Sequence, residues 1–251
     1  MSERLVELLA PQPGQTVVEL GAGLGDTGFL ALGRLKPGGC LLSTDGAPAM
    51  VAAARRRASE LGLEEGQELT FAVEDAEALM LSDESFDGVL CRWGLMLVPN
   101  PVVAASEIAR VLRPGGIAAV AVWADPAAND WMTAAGRSAI ELALLERPDP
   151  EAPGPFRLAG DSRLREALER GGLVVESVED VPLIWRGSSL AEWWDVMRDT
   201  SRMLRELIER VGREDAERIR AGGERRLAQY VQSDGSVAVP GLSRVARAVR
   251  P

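Results

Sequence analysis

Residues 16–28, TVVELGAGLGDTG, constrain the fold more than any other stretch of this chain. A β-branched run, Thr16 to Val18, ends in Glu19, and glycines follow at 21, 23 and 25. The run reads as a buried strand. The alternate glycines read as a turn too tight for Cβ atoms, where a ligand can lie against bare backbone. The next apolar run, LLSTD, ends in Asp45, 22 residues beyond Gly23. A nucleotide-binding βαβ unit places its ribose-binding acid at about that distance. An adenosine-containing cofactor is therefore expected.

Strand-like and helical patterns alternate as far as residue 123. Strands are expected near 16–20, 39–44, 69–74, 86–91 and 116–123, and helices near 2–10, 26–35, 47–61 and 101–112. KPGG at 36–39 and RPGG at 113–116 each stop a helix and launch a strand. Five strands separated by helices imply a parallel, doubly wound sheet with its ligand at the strand carboxyl ends. Beyond 123, helices are expected near 131–146 and 161–171, the latter with Asp161 as N-cap and Gly171 as stop. A long strand is expected at 173–185, a charged helical segment at 188–232, and a last strand at about 242–249.

Composition prunes the chemistry. There is no histidine, which excludes a Ser-His-Asp triad, a His-ligated zinc and a histidine base together. The net charge of −10 disfavours nucleic acid as a partner. No apolar run reaches the roughly 18 residues of a membrane span, and MSERLVELLA reads as an amphipathic helix rather than a signal peptide. Cys40 and Cys91 sit in apolar runs and are expected as buried thiols of a cytoplasmic protein. No cluster of Asp, Glu and Cys at ligand spacing suggests a metal.

The glycine turn departs from the NAD fingerprint, because Asp26 stands where the third glycine of G-x-G-x-x-G belongs. The pattern here is E-x-G-x-G-x-G, which resembles motif I of the class I S-adenosylmethionine-dependent methyltransferases. STDGAPAM (43–50), VEDAEAL (73–79), FDGVLCRWGLMLVPNP (86–101), LRPGG (112–116) and AVWADPAANDWM (121–132) are similar to that family's later blocks, in order. The likeness covers about 1–135 and points to small-molecule, quinone-methyltransferase-like members. It implies a seven-stranded, mostly parallel, Rossmann-like α/β sheet with an antiparallel last strand and a helical lid insertion. The whole chain, 1–251, is then one methyltransferase domain. Residues 1–123 are its cofactor-binding half; 124–160 and 188–232 are acceptor-pocket or lid segments.

The cofactor implied is S-adenosylmethionine, with S-adenosylhomocysteine as product and no metal. Asp45 would accept from the ribose diol. Asp75 and the Ala76 backbone would read the adenine edge, and Met50 would pack on its face. The backbone of Gly21, Ala22 and Gly23 would meet the amino-acid end, oriented by Glu19. Gly46, Cys91 and Arg92 complete the expected cofactor-binding set. Blander roles stand beside these: Asp45, Asp75 and Asp26 as helix caps, Met50 as core, Arg92 as a structural ion pair.

All six tryptophans follow the third strand, and Trp93, Trp123, Trp131, Trp193 and Trp194 are the expected aromatic walls of an acceptor pocket. Core packing is the alternative for each. Many relatives carry histidine a few residues after the fourth strand, where this chain has Met96 and Leu97. No catalytic base is therefore singled out; Asp125, Asp130 and Tyr230 are candidates, and Cys91 is a poor nucleophile because no base adjoins it. The expected partner is a small-molecule acceptor. The segment before the first strand is short, so the 188–232 helices or a second subunit would cover the cofactor, which makes a homodimer one expectation. A non-enzymatic binding or regulatory protein of the same fold, and less favourably an NAD-dependent oxidoreductase, are the rival readings.

Overall fold

β1 (Thr16–Leu20), β2 (Cys40–Asp45), β3 (Leu69–Val73), β4 (Phe86–Arg92), β5 (Leu112–Trp123), β6 (Val174–Gly187) and β7 (Val237–Val249) form a sheet in the order β3-β2-β1-β4-β5-β7-β6. The helices are α1 (Ser2–Leu9), α2 (Asp26–Leu35), α3 (Pro48–Glu60), α4 (Pro101–Val111), α5 (Asp130–Glu141), α6 (Arg163–Arg170), α7 (Leu190–Thr200), α8 (Arg202–Val211) and α9 (Arg213–Leu227). The structure, a computed structural model, describes residues 1–160 and 162–251; the expected cap Asp161 lies outside the described residues. The chain divides into two units. One comprises Met1–Trp123, Pro153–Val181 and Ser243–Pro251; the other comprises Ala124–Ala152 and Pro182–Leu242.

In the first unit β1 lies between β2 and β4 and runs parallel to both, with Glu19 beside Ser43 and Leu20 beside Cys91. β4 is parallel to β5, and β7 runs antiparallel to β5. The strand order therefore reverses at β1, and the carboxyl ends of β1 and β4 flank the crevice where such sheets bind ligands. Val17, Val18 and Leu20 are buried, as are Ala118 to Trp123. Helices on both sheet faces account for these unbroken apolar runs. α4 starts where expected because the Asn100 side chain accepts from the N–H groups of Val102 and Val103, with Pro101 opening the helix.

Three departures from the sequence pattern have local causes. β5 begins at Leu112 rather than 116, because LRPGG carries a bulge inside the strand. The register passes from Phe86 opposite Leu112 to Gly88 opposite Ile117, with Gly115 at φ +79°. β7 begins at Val237, since Pro240 and Gly241 stay within the strand instead of ending it. Gly171 closes α6 at φ −77°, and the left-handed residue is its neighbour Gly172.

The second unit builds its own core from α5, α7, α8 and α9. Residues 188–232 are three helices, parted at Ser201, whose hydroxyl accepts from the Leu204 N–H, and at Gly212. Ala135, Trp193, Met197, Leu204 and Ile219 pack together there. Trp193 is fully buried and its indole N–H donates to the Trp131 carbonyl at 2.8 Å. A Cβ on Gly223 would lie 2.5 Å from the Trp193 ring, so glycine lets α9 approach it.

Candidate functional site

The glycine turn after β1 is built from its own backbone and from β2. The Ala22 N–H donates to the Thr44 carbonyl at 2.8 Å, and the Thr44 hydroxyl donates to the Glu19 carbonyl at 2.8 Å. Gly21 and Gly23 take φ of +62° and +58°, a region that disfavours side chains. A Cβ on Gly21 would stand 3.4 Å from Gly94 Cα, whereas one on Gly23 would meet nothing within 4 Å. The backbone at Gly23 therefore faces open space. Asp45, at the end of β2, accepts from the Gly23 N–H through Oδ2 and from the Ala47 N–H through Oδ1, each at 2.9 Å. A carboxylate offers about four acceptor positions, so these two bonds leave capacity for a diol. Bare backbone beside an acid at a strand end fits an adenosine ligand with an amino-acid tail.

Glu19 lies beneath this turn and is buried. It accepts from the Gly28 N–H at 2.9 Å and from the Ser43 hydroxyl at 3.4 Å. A Cβ on Gly28 would come 2.3 Å from Glu19 Oε2, so glycine inside α2 makes room for the acid. Burial pushes the Glu19 carboxyl up to about 7, against the pull of the Gly28 N–H and of Arg92. Between its ordinary 4.5 and about 7 the folded chain holds a proton that the unfolded chain has lost. Stability therefore falls as pH rises through that window. Glu19→Gln keeps an oxygen for Gly28 and removes this slope. In urea unfolding, the variant should gain on the wild type by up to about 1.4 kcal/mol per pH unit between pH 5 and 7. A pH-independent difference would mean that Glu19 ionises normally.

Arg92 ends β4 beside the turn. Its Nη2 lies 3.3 Å from Asp26 Oδ2, and Arg57 Nη2 lies 2.6 Å from Asp26 Oδ1. Asp26 is the first residue of α2, and Gly25, not Asp26, caps the helix. The Arg92 guanidinium sits 4.6 Å from the Trp93 ring centre. Trp93 and Trp123 stack with centroids 4.2 Å apart and planes 15° apart. Two flat groups this close to one ring cannot share a face, so both faces of Trp93 are covered. The Trp93 indole N–H donates to the Ser243 hydroxyl at 3.0 Å. Trp93 also takes φ +60°, rare for a bulky residue. As a wall, Trp93 offers its edges and not a face.

The remaining expected cofactor residues lie on the same unit. Asp75 accepts from the Glu77 N–H at 2.9 Å just past β3, and Ala76 follows it. Met50 stands in the first turn of α3, 44% exposed, and Gly46 follows Asp45. Cys91 is buried and burial raises its thiol to about 11, which leaves it protonated at neutral pH. Cys40 and Cys91 are both free thiols.

In the second unit, Trp131 stacks on Trp185 at 6.2 Å, and Trp194 lies tilted against Trp193. Asp125 caps a short turn by accepting from the Ala127 N–H. The Tyr230 hydroxyl donates to Asp130 Oδ2 at 3.1 Å, while Asp130 Oδ1 pairs with Arg137 at 3.2 Å. The three candidate bases are thus engaged within their own unit. Burial and the Asp130 carboxylate raise the Tyr230 hydroxyl above its ordinary value.

Sequence reasoning passed over Gly28, Ser43, Gly94, Arg57 and Ser243. Gly28 carried a signal, since glycine inside a helix costs about 1 kcal/mol relative to alanine and needs a reason. Ser243 carried none, because it lies 150 residues from Trp93.

This strand order, with a glycine turn after β1 and an acid ending β2, is shared with the Rossmann-like fold of solved structures described as methyltransferases. Residues 18–120 match the family model described as a methyltransferase domain. The chain is 34% identical over 116 residues to the aklanonic acid methyltransferase DauC of a Streptomyces species, covering 46% of this chain and 51% of that one. It is 40% identical over 113 residues to the ubiquinone/menaquinone biosynthesis C-methyltransferase UbiE of Acidiphilium cryptum, covering 44% and 43%. The chain spans about half or less of the curated relatives it matches. A Bacillus halodurans crystal structure superimposes with a TM-score of 0.65 at 20% identity, covering 100% of this chain and 98% of that one, which shows the shared fold.

Proposed function

We propose that the chain transfers a methyl group from S-adenosylmethionine to oxygen or carbon of a small, largely apolar or aromatic molecule. The observation that carries this reading is the open backbone at Gly23 with Asp45 hydrogen-bonded to it. When bound, S-adenosylmethionine supplies an activated sulfonium methyl group. Asp45 would hold the ribose, Asp75 and Ala76 the adenine edge, and Met50 the ring face. The Gly21–Gly23 backbone, steadied by Glu19 and with Arg92 beside it, would receive the amino-acid end. Holding an acceptor in line can supply roughly 7–11 kcal/mol, while a general base adds only about 10²–10⁴-fold. Chemistry without histidine is therefore feasible for an acceptor that is already nucleophilic. The names of the quinone and aklanonic acid relatives support an apolar or aromatic acceptor.

Calorimetry with S-adenosylhomocysteine, followed by turnover assays on quinols and phenols, tests the proposal. Binding without turnover on any acceptor would favour a non-enzymatic binding protein, and binding of NAD alone would overturn both. Among the described residues no three of His, Cys, Asp and Glu gather at metal-ligand spacing. We expect activity to survive EDTA. Loss restored by magnesium would reveal a carboxylate site. The described helices include none long and apolar enough to cross a membrane.

A further inference from the structure

The Arg57–Asp26–Arg92 row carries two cations against one anion, so Asp26 alone does not neutralise both arginines. Arg92 is the member nearest the turn in the sheet: it follows Cys91, which is paired with Leu20, and it precedes the loop whose Gly94 abuts Gly21. Its ion pair with Asp26 is the longer of the two, 3.3 Å against 2.6 Å. A flexible arginine with one long ion pair would keep much of its rotamer freedom. Trp93 removes that freedom by offering a flat face at 4.6 Å. That face is itself fixed by the Trp123 stack behind it and by the Ser243 hydroxyl at its edge. The backbone at Trp93 adopts a left-handed conformation to bring the ring there, and such strain persists only where the surroundings hold it.

We propose that Trp93 is a positioning residue that presents the Arg92 guanidinium to the carboxylate at the amino-acid end of the bound cofactor. This rests on the cofactor reading above and names the residue that selects for that carboxylate. A planar guanidinium can face the indole and still direct its edge N–H groups at a carboxylate, which an ammonium cannot do equally well.

Calorimetry on the intact chain with two probes tests this. S-adenosylhomocysteine has the carboxylate; 5′-methylthioadenosine shares the adenosine and lacks the amino-acid carboxylate. Trp93→Leu and Trp93→Phe meet the same left-handed backbone, and only phenylalanine restores a flat face. We expect Trp93→Leu and Arg92→Lys each to weaken S-adenosylhomocysteine about tenfold, the scale of one charge-assisted hydrogen bond. Trp93→Phe should stay within about threefold of wild type. All three should bind 5′-methylthioadenosine as the wild type does. Equal loss of both probes, or no loss of S-adenosylhomocysteine, would overturn the proposal and leave Trp93 as packing. If Trp93→Leu does not fold, Trp93→Met, which also lacks a flat face, carries the same comparison. Wild-type protein that binds neither probe would overturn the cofactor reading and this proposal with it, whereas binding of both with uniform variants would overturn this proposal alone.

Discussion

Trp193→Ala should destabilise the protein by about 3–5 kcal/mol, the range for removing a large aromatic ring from a core. Trp193 is fully buried among the helices of its own unit, and its indole N–H is bonded to the Trp131 carbonyl. The substitution therefore opens a cavity and removes the indole hydrogen bond to the part-buried Trp131 carbonyl. For a chain of this length, such a loss should lower Tm by the order of 10 °C. S-adenosylhomocysteine affinity measured below the transition should change little, because the residues expected to bind the cofactor, from Glu19 to Arg92, lie on the other unit. A stable variant with selectively impaired turnover would instead make Trp193 an acceptor contact. Sequence alone left both roles open, and the burial favours the first.

Asp45→Ala should weaken S-adenosylmethionine and S-adenosylhomocysteine by about 1.5–3 kcal/mol, the range for hydrogen bonds to a charged group. Two losses combine in that figure. The ribose would lose its charged acceptor, and the Gly23 and Ala47 N–H groups would lose theirs. Asp45→Asn separates the two, because its amide oxygen can still accept one backbone bond while the charge is gone. We expect Asp45→Asn to recover part of the affinity. Calorimetry at fixed pH reads both variants. Unchanged affinity in Asp45→Ala would place the ribose elsewhere and remove the main support for the cofactor reading.

Much of the first unit was legible in the sequence because its signals are local. The β-branched run before Glu19, the alternate glycines and the acid at Asp45 are each imposed by backbone sterics or by strand length. The structure places them as one turn bonded to one strand end. Helix starts were legible for the same reason at Asn100-Pro101. Pattern reading failed where a pairing partner overrode a local breaker. RPGG reads as a helix stop ahead of a strand, and Pro240-Gly241 precedes the expected start of the last strand, yet both lie inside strands, β5 and β7.

What the sequence by itself determined is the order of elements, the glycine turn with Asp45 and the absence of histidine chemistry. What only the tertiary structure decided is how the tryptophans and arginines are spent. Trp93, Trp123 and Ser243 are far apart along the chain, and only the antiparallel placement of β7 beside β5 brings Ser243 to the Trp93 ring. Whether an arginine pairs with an acid, lies on an indole or faces solvent depends on such long-range register. Side-chain periodicity within one element cannot encode it, because the energy lies in contacts between elements.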